Sequence, residues 1–584
     1  MANNQENPST SLANPFHPTL LNHCVEQWAK ETPKQIAMLQ HEDGKHISYE
    51  KFASLIDIFA LRLLDLGLKK GDRLATQLVL IPEHVIFMYA CFKIGVIVAP
   101  LDLRLKPEEV VRDVNKIRAK VFFFLGNTPV TDFREIGQAV QDKCSSVEHL
   151  VQFTEDKNPG DIITGAVSIG KFMNKTKLVT LKIANMFSGR LKRAQSQITP
   201  RTAALIIYTT GTTGAPKPAV LCHQNILVQN QILIKGMGEI TADKNQSSSQ
   251  SPFVSMVNLP PSHVGCVTET LMTSFYVGGK AVMLRIFDVQ ATLEAIQAHK
   301  VSLLGQIPTQ YRMLWNHPNC ESYDLSSLQC VIYAGAAGDL PFLERLQKMA
   351  PNFGTGLGMT ENAGFATFSK PGTCPQDLVG QVGSAFPDLA KVSIRQPMNS
   401  NGTAGAECEH GESGEICYHP PVVFLGYYDQ PEETQKAISK EGILYTGDLG
   451  YFKDVNGEAS LFLSGRRKFI IKQKGYNVFP TEVEDHISRL DGIAQVEVLG
   501  GKHLLFDEAI FAYVKLEANS PLTVPKIMEH CKNIASYKRP HHIEIWPSEQ
   551  EFPLTRSAKV DKMALQKYVN AAIDKLRIQG QWDA

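Results

Sequence analysis

Behind Ser48, the apolar residues Phe52, Leu55, Ile56, Phe59 and Leu63 recur at helical spacing and Gly67 follows them. This predicts a helix capped by Ser48, running from Tyr49 to about Leu66. A strand over Asp72 to Ile81, a helix after Pro82 and a short all-apolar strand over Val96 to Ala99 come next. The series continues with Val121 to Leu125, Leu150 to Phe153, Ala204 to Tyr208, Val254 to Leu259, Ala281 to Leu284, Val301 to Leu304 and Cys330 to Tyr333. Short apolar strands with helical patterns between them predict an α/β fold of mainly parallel, doubly wound sheets with helices on both faces. The longest apolar stretch, Val85 to Leu101, contains Lys93 and Gly95 and is a little short for a membrane span, so it reads as a buried helix running into a strand.

Composition narrows the class. The 584 residues carry 59 basic and 59 acidic side chains, a balance that argues against nucleic acid as a bulk partner. Eleven cysteines, an odd number with no C-x-x-C pair, form neither a disulfide framework nor a zinc ribbon and read as buried thiols. The start, MANNQENPSTSLANPF, has neither the basic opening nor the apolar stretch of a signal peptide, so a cytoplasmic location is expected. The segment from Lys171 to Gln195 holds seven basic residues and no acidic one, together with Phe172, Leu178, Leu181, Met186, Phe187 and Leu191. Two readings fit it: an interfacial helix making peripheral contact with an anionic membrane, or, the default, a solvated basic excursion packed on the domain surface.

The strongest chemical signal is Tyr208-Thr209-Thr210-Gly211-Thr212-Thr213-Gly214-Ala215-Pro216-Lys217, directly after an apolar strand. Glycines let the backbone bring its N–H groups close to phosphate oxygens, the Thr hydroxyls add donors, and Lys217 adds charge. It is not a Walker A loop, because Pro216 and Pro218 flank the lysine where that motif has Gly and Ser/Thr.

On these residues the sequence resembles the adenylate-forming (AMP-binding) enzymes, which include acyl-CoA synthetases, carrier-protein adenylation domains and luciferases. The loop matches their fingerprint except at Pro218, where Gly is usual. The resemblance extends in order through His223-Gln224-Asn225, Leu259-Pro260-Pro261-Ser262-His263, Gly356-Leu357-Gly358-Met359-Thr360-Glu361, Gly411 to Ile416, Gly426-Tyr427-Tyr428, Tyr445 to Gly450, Gly465 to Lys468, Gly475 to Glu484 and Pro553 to Lys559. It covers essentially Ser48 to Lys562.

The resemblance implies a role for each match. Thr209, Thr210, Gly211, Thr212, Thr213, Gly214 and Lys217 would hold the ATP phosphates. Glu361 would contact magnesium, a hard ion suited to carboxylate oxygens. Gly335 and Ala336 would pass beside adenine, with Leu357, Gly358, Met359 and Thr360 completing the nucleotide site. Asp448 would take both ribose hydroxyls, and Arg466 would sit near the ribose and α-phosphate. His263 would gate the carboxylate pocket. Lys559 would supply the cation that joining a carboxylate to a phosphate requires. Lys468 would be the hinge and Gly475 part of the coenzyme A site. Leu357 in place of Tyr, Ala558 in place of Gly and Phe469 in place of Asp are departures that remove no charged group the chemistry needs.

The implied architecture is a large N-terminal domain, residues 1–464, binding AMP and the acyl group, and a small mobile α+β domain, residues 465–584. The expected reaction is ATP- and Mg2+-dependent activation of a small-molecule carboxylic acid, a medium or long fatty acid first, to acyl-AMP. Transfer to coenzyme A would follow, the thiol favoured because no carrier domain or condensation module accompanies the motifs. An acyl carrier protein as acceptor and a non-catalytic nucleotide-binding regulator are the alternatives.

Overall fold

The structure, a computed structural model, describes residues 17–154, 161–209, 216–238, 253–335, 338–466, 469–473, 476–555 and 559–583. Their contacts separate two compact units. The first holds the described residues up to Thr209 together with Pro216–Val392 and Tyr418–Leu444, and the second holds Ser393–Cys417 and the residues from Tyr445 onward.

Two seven-stranded sheets build the first unit. One runs Ala166–Ser168, His149–Phe153, Val121–Leu125, Arg73–Gln77, Ile97–Pro100, Ala203–Thr209, Lys217–Cys222, parallel up to its last, antiparallel pair. The other runs Asn352–Thr355, Cys330–Tyr333, Leu303–Gln306, Val254–Val257, Lys280–Met283, Ile36–Gln40, His46–Ser48, again parallel except at the final pair. The helix Tyr49–Asp65 starts where Ser48 Oγ accepts the Lys51 N–H and buries Phe52, Ile56, Phe59 and Leu63. The helix Pro82–Ile94 is buried all round, ends at Gly95 with φ +74°, and leads into the strand Ile97–Pro100. Its one cation, Lys93, is neutralised by Glu26 at 2.8 Å and by Asp57. Edge-to-face rings of Phe87, Phe123 and Phe172 fill the space between this helix and the first sheet.

Three strand expectations shift, and the one over 254–259 simply ends at Val257. The strand predicted over 72–81 is Arg73–Gln77, because the chain then turns away and the Leu80 N–H is taken by the Arg285 carbonyl at 3.3 Å. The strand predicted over 301–304 is Leu303–Gln306, because the Val301 N–H closes the preceding helix onto the Ile296 carbonyl. The basic segment forms three helices, Ile169–Phe172, Lys175–Ser188 and Arg190–Gln195. All eleven cysteines are free and most are buried.

The second unit carries an antiparallel ladder between Leu444–Val455 and Glu458–Arg466, and a five-stranded sheet whose long hairpin is Ile493–His503 with Asp507–Leu516. Alternation sorts the hairpin into two cores. Ile510, Ala512 and Val514 face the helices Pro480–Ile487 and Val524–His530, whereas Ala509, Phe511 and Tyr513 pack with Trp582 against the helix Lys562–Ile578. This is a small α+β layer structure with helices on both faces.

Two buried histidines make the first unit sensitive to acid. His84, bonded to Thr76 Oγ1 at 2.9 Å, and His223, whose Nδ1 accepts the Leu21 N–H at 3.2 Å, are both fully buried. Burial pulls their imidazoles down to about 4 and about 3 respectively. The unfolded chain therefore binds protons that the folded chain refuses once pH falls below about 6.5, the free imidazole value. Stability should be intact above that pH and fall by on the order of 1.4 kcal/mol per pH unit for each histidine, for His84 down to its folded value. Denaturant midpoints across this range should drop less steeply in His84→Gln than in the parent chain.

Candidate active site

The strand Ala203–Thr209 and the strand Lys217–Cys222 pair in antiparallel register, with Thr209 opposite Lys217. Thr209 and Lys217 thus stand at the two feet of the Gly/Thr loop, whose Thr210, Gly211, Thr212, Thr213 and Gly214 lie outside the described residues. Lys217 Nζ pairs with Glu433 Oε2 at 2.5 Å and lies 5.2 Å from the centre of the Tyr427 ring. Hydrogen bonds from Lys217 and then Lys436 hold the Glu433 carboxyl down at about 2.

Tyr427 links this lysine to Glu361. Its phenol donates to Glu361 Oε1 at 2.6 Å, and the Phe424 N–H donates to the Glu361 carbonyl at 2.9 Å. Burial first, and the Glu361 charge second, push the Tyr427 phenol far above its usual range, so it stays a donor. The segment around Tyr427 lies beside the outer strand of the sheet: Val220 N–H bonds the Gly426 carbonyl and Tyr428 N–H the Pro218 carbonyl.

Glu361, only 6% exposed, occupies the short 3-10 turn Thr360–Asn362 between the strands Gly358–Met359 and Gly364–Phe365. Asn362 ties the turn together, its Oδ1 accepting the Met359 N–H and its Nδ2 donating to the Gly364 carbonyl. No side chain fits at Gly358 or Gly356, since a Cβ there would overlap the carbonyl oxygens of Gly364 and Thr367. Leu357, Gly358, Met359 and Thr360 therefore share one rigid hairpin, following the strand Asn352–Thr355. The neighbouring parallel strand Cys330–Tyr333 leads to Gly335, whose φ of +91° favours glycine, while Ala336 lies outside the described residues. Loops past the carboxyl ends of parallel strands are where α/β sheets bind ligands.

From the same sheet, the strand Val254–Val257 leads to His263, whose Nε2 stands 3.8 Å from Asp102 Oδ2. Arg104 grips Asp102 through two bonds of 2.8 and 2.6 Å. Burial alone would raise the Asp102 carboxyl, but the Arg104 bonds and the His263 charge outweigh it and hold it below its ordinary value. A π-helix, Gly265–Leu271, begins two residues after His263, and Thr268 Oγ1 donates from it to the Ala363 carbonyl at 2.7 Å. The His263 segment is thus fastened to the Glu361 turn. Local π-helix is uncommon and concentrates at functional sites.

Within the second unit, Asp448 and Arg466 are direct partners across the ladder, Arg466 Nε to Asp448 Oδ1 at 2.8 Å. The turn before Asp448 is fixed by the Gly447 N–H on Glu415 Oε1 at 2.9 Å. Lys559 is exposed at the base of a loop closed by the Thr555 N–H on the Lys559 carbonyl at 2.7 Å. Next along the chain, Lys562 anchors the last helix through Glu484 at 2.5 Å and Glu497 at 3.4 Å. Lys468 and Gly475 lie outside the described residues. The sequence did not single out Glu433, Asp102 or Arg104; Tyr427 stood in the motif Gly426-Tyr427-Tyr428, but without a role.

Doubly wound sheets in a large unit, a small α+β unit, and a Gly/Thr loop rooted beside a buried acidic hairpin define an AMP-forming ligase. The chain belongs to the AMP-binding enzyme family, which matches residues 25–428, while that family's C-terminal domain matches residues 482–559. It is 25% identical over 557 residues to the mitochondrial medium-chain acyl-CoA ligase ACSF2 of Homo sapiens, covering 94% of this chain and 87% of that protein. It is 27% identical over 513 residues to the long-chain-fatty-acid–CoA ligase of Bacillus subtilis, covering 85% of each. The crystal structure of ATP-bound MatB from Rhodopseudomonas palustris superposes with a TM-score of 0.73 at 22% identity, over 94% of this chain and 99% of that one.

The close backbone approach at Gly358 gives a direct test of the hairpin. Gly358→Ala must part the two short strands, at a cost of about 1–3 kcal/mol if the hairpin opens only locally. It should lower the thermal midpoint and, by displacing Glu361, abolish ATP binding measured by calorimetry. Unchanged affinity would mean that the hairpin does not position the nucleotide.

Proposed function

We propose that this ligase activates a medium- or long-chain fatty acid to acyl-AMP and passes the acyl group to coenzyme A. The observation that carries the reading is the Lys217–Tyr427–Glu361 chain, which sets a cation and a buried carboxylate at the foot of a phosphate-binding loop. The names of relatives that act on medium-chain and long-chain acyl groups support the choice of acid.

Each residue then has a task. Thr209, Lys217 and the loop between them bind the triphosphate, and Gly335, Ala336 and Leu357 to Thr360 line the base. Asp448 receives the ribose hydroxyls, with Arg466, already beside it, reaching toward the α-phosphate. Glu361 fits a magnesium ion: it is a hard oxygen donor, buried, and oriented by the Tyr427 phenol. When bound, the ion would neutralise charge on the phosphate oxygens. His263, steadied by Asp102, borders the carboxylate pocket. One carboxylate oxygen attacks the α-phosphorus, pyrophosphate leaves, and Lys559 stabilises the charge that gathers on the phosphoryl oxygens. The coenzyme A thiolate then attacks the acyl carbon, and AMP departs with the bonding electrons. Residues 465–584 act as the mobile domain, turning at Lys468 to bring Gly475 toward the thiol.

Pyrophosphate release across a panel of acids, with and without coenzyme A, tests the reaction. Release should require ATP, Mg2+ and a fatty acid, and thioester should appear only with coenzyme A. Glu361→Gln should lower turnover about 10²-fold, as loss of one transition-state charge contact does. If no acid elicits pyrophosphate, the protein is a nucleotide-binding regulator; acyl-AMP that only a carrier protein consumes would identify the carrier as acceptor.

A second experiment separates the half-reactions. Lys559→Ala should slow adenylation about 10²-fold or more, yet convert presynthesised acyl-AMP and coenzyme A to thioester at nearly the parent rate. Lys468→Pro should do the reverse, because a fixed φ blocks the turn. Equal loss of both steps in both variants would leave a single fixed site.

A further inference from the structure

The helix Lys175–Ser188 presents an apolar stripe to solvent. Val179, Ile183, Met186 and Phe187 are 58, 52, 77 and 88% exposed and follow one another at steps of four, three and one. At helical pitch they share one arc about 100° wide. Leu178, Leu181 and Asn185, on the opposite side, are the half-buried residues that face the protein, where the helix packs on Tyr49–Asp65. Exposed leucines or valines scattered singly need no explanation, but four large apolar side chains aligned on one face do.

Charge indicates what covers the stripe. Lys175 and Lys182 lie at its edge, and Lys171, Arg190, Lys192 and Arg193 are exposed on the short helices at either end. Lys177 is on the protein side and pairs with Asp65 at 2.8 Å. No acidic residue occurs from Lys171 to Gln195. The helix is held from both ends: Asn174 accepts the Lys177 N–H, Asn185 Oδ1 accepts the Leu191 N–H, and Leu191 and Phe172 are buried. It is therefore a formed, anchored surface helix with an apolar outer face inside a cationic frame. Among the described residues no helix is long and apolar enough to cross a membrane.

We propose that the helix Lys175–Ser188 lies flat on an anionic bilayer, inserting Val179, Ile183, Met186 and Phe187 among the acyl chains while the surrounding lysines and arginines meet lipid phosphates. A cationic frame selects an anionic surface, and an apolar stripe without a groove to match suits a fluid partner. The surface does not rest on the reaction assigned to the site; it stands on exposure and charge alone.

Sedimentation of the full chain with phosphatidylcholine vesicles, and with phosphatidylcholine–phosphatidylglycerol vesicles, decides the matter. Binding should need phosphatidylglycerol and weaken at high ionic strength, where screening shortens to a few ångströms. Met186→Ser with Phe187→Ser, and separately Lys175→Gln with Lys182→Gln, should each weaken partitioning about tenfold. Circular dichroism and vesicle-free pyrophosphate release should be unchanged, which separates lost docking from lost fold or lost chemistry. Absence of binding to phosphatidylglycerol vesicles at low ionic strength overturns the proposal, as does binding that neither pair of substitutions alters. A dimer that the Met186 and Phe187 substitutions dissolve, without vesicle binding, would make a second copy of the chain the occupant instead.

Discussion

The phenol of Tyr427 donates to Glu361 at 2.6 Å, and three distant stretches of sequence meet through that contact. Glu361 comes from the hairpin after one parallel sheet, Lys217 from the edge strand of the other, and Tyr427 from a return segment that pairs with that edge strand. An ionised carboxylate that is 6% exposed is costly unless it is bonded. The donor must stay protonated, and the Tyr427 phenol, driven upward by burial and by the carboxylate itself, does. The carboxylate thus helps to keep the phenol a donor. Removing the phenol would leave a buried charge short of a donor rather than merely delete one contact.

The second unit solves the opposite problem, keeping charges usable near the surface. Asp448 and Arg466 sit opposite each other on a two-stranded ladder, so the backbone register presents both to one side. Arg466 is half-exposed, while the Asp448 carboxylate beneath it is only 14% exposed. Lys562 is partly buried, and its ammonium joins Glu484 and Glu497 and fixes the start of the last helix. Burial alone would lower the Lys562 ammonium, but the two carboxylates outweigh it and keep it charged. Lys559, three residues upstream of that anchor, is exposed.

What could be read from the sequence follows range of interaction. The helix Tyr49–Asp65 was legible because its cap, its apolar spacing and its terminating glycine are all local. Glu361, Asp448 and Lys559 were picked out by motif and order alone. The bond between Tyr427 and Glu361 was not, because the two are 66 residues apart and nothing in either neighbourhood names the other. Asp102 and Arg104, two residues apart, look like solvated loop charges until the fold sets them beside His263. The strand Asp507–Leu516 hides for another reason: Ala509 to Val514 are buried on both faces, so the two-residue alternation that marks a strand disappears.

The departures from the family pattern make physical sense where they fall. Proline at 218 would be damaging in the middle of a sheet, since it lacks the N–H that a ladder needs. Here it lies on the outermost strand of its sheet, opposite Tyr208. In an antiparallel strand the N–H and C=O of one residue point the same way. The Pro218 carbonyl points outward to the Tyr428 N–H, so the missing donor also faces outward and no bond to Ala203–Thr209 is lost. Leu357 is accommodated differently. The backbone at 357 is held from both sides, its N–H on Thr367 Oγ1 and its carbonyl accepting the Ala366 N–H, while its side chain is only half-buried. Hairpin geometry at that position is set by the main chain and the flanking glycines. A change of side chain there leaves the turn that carries Glu361 in place.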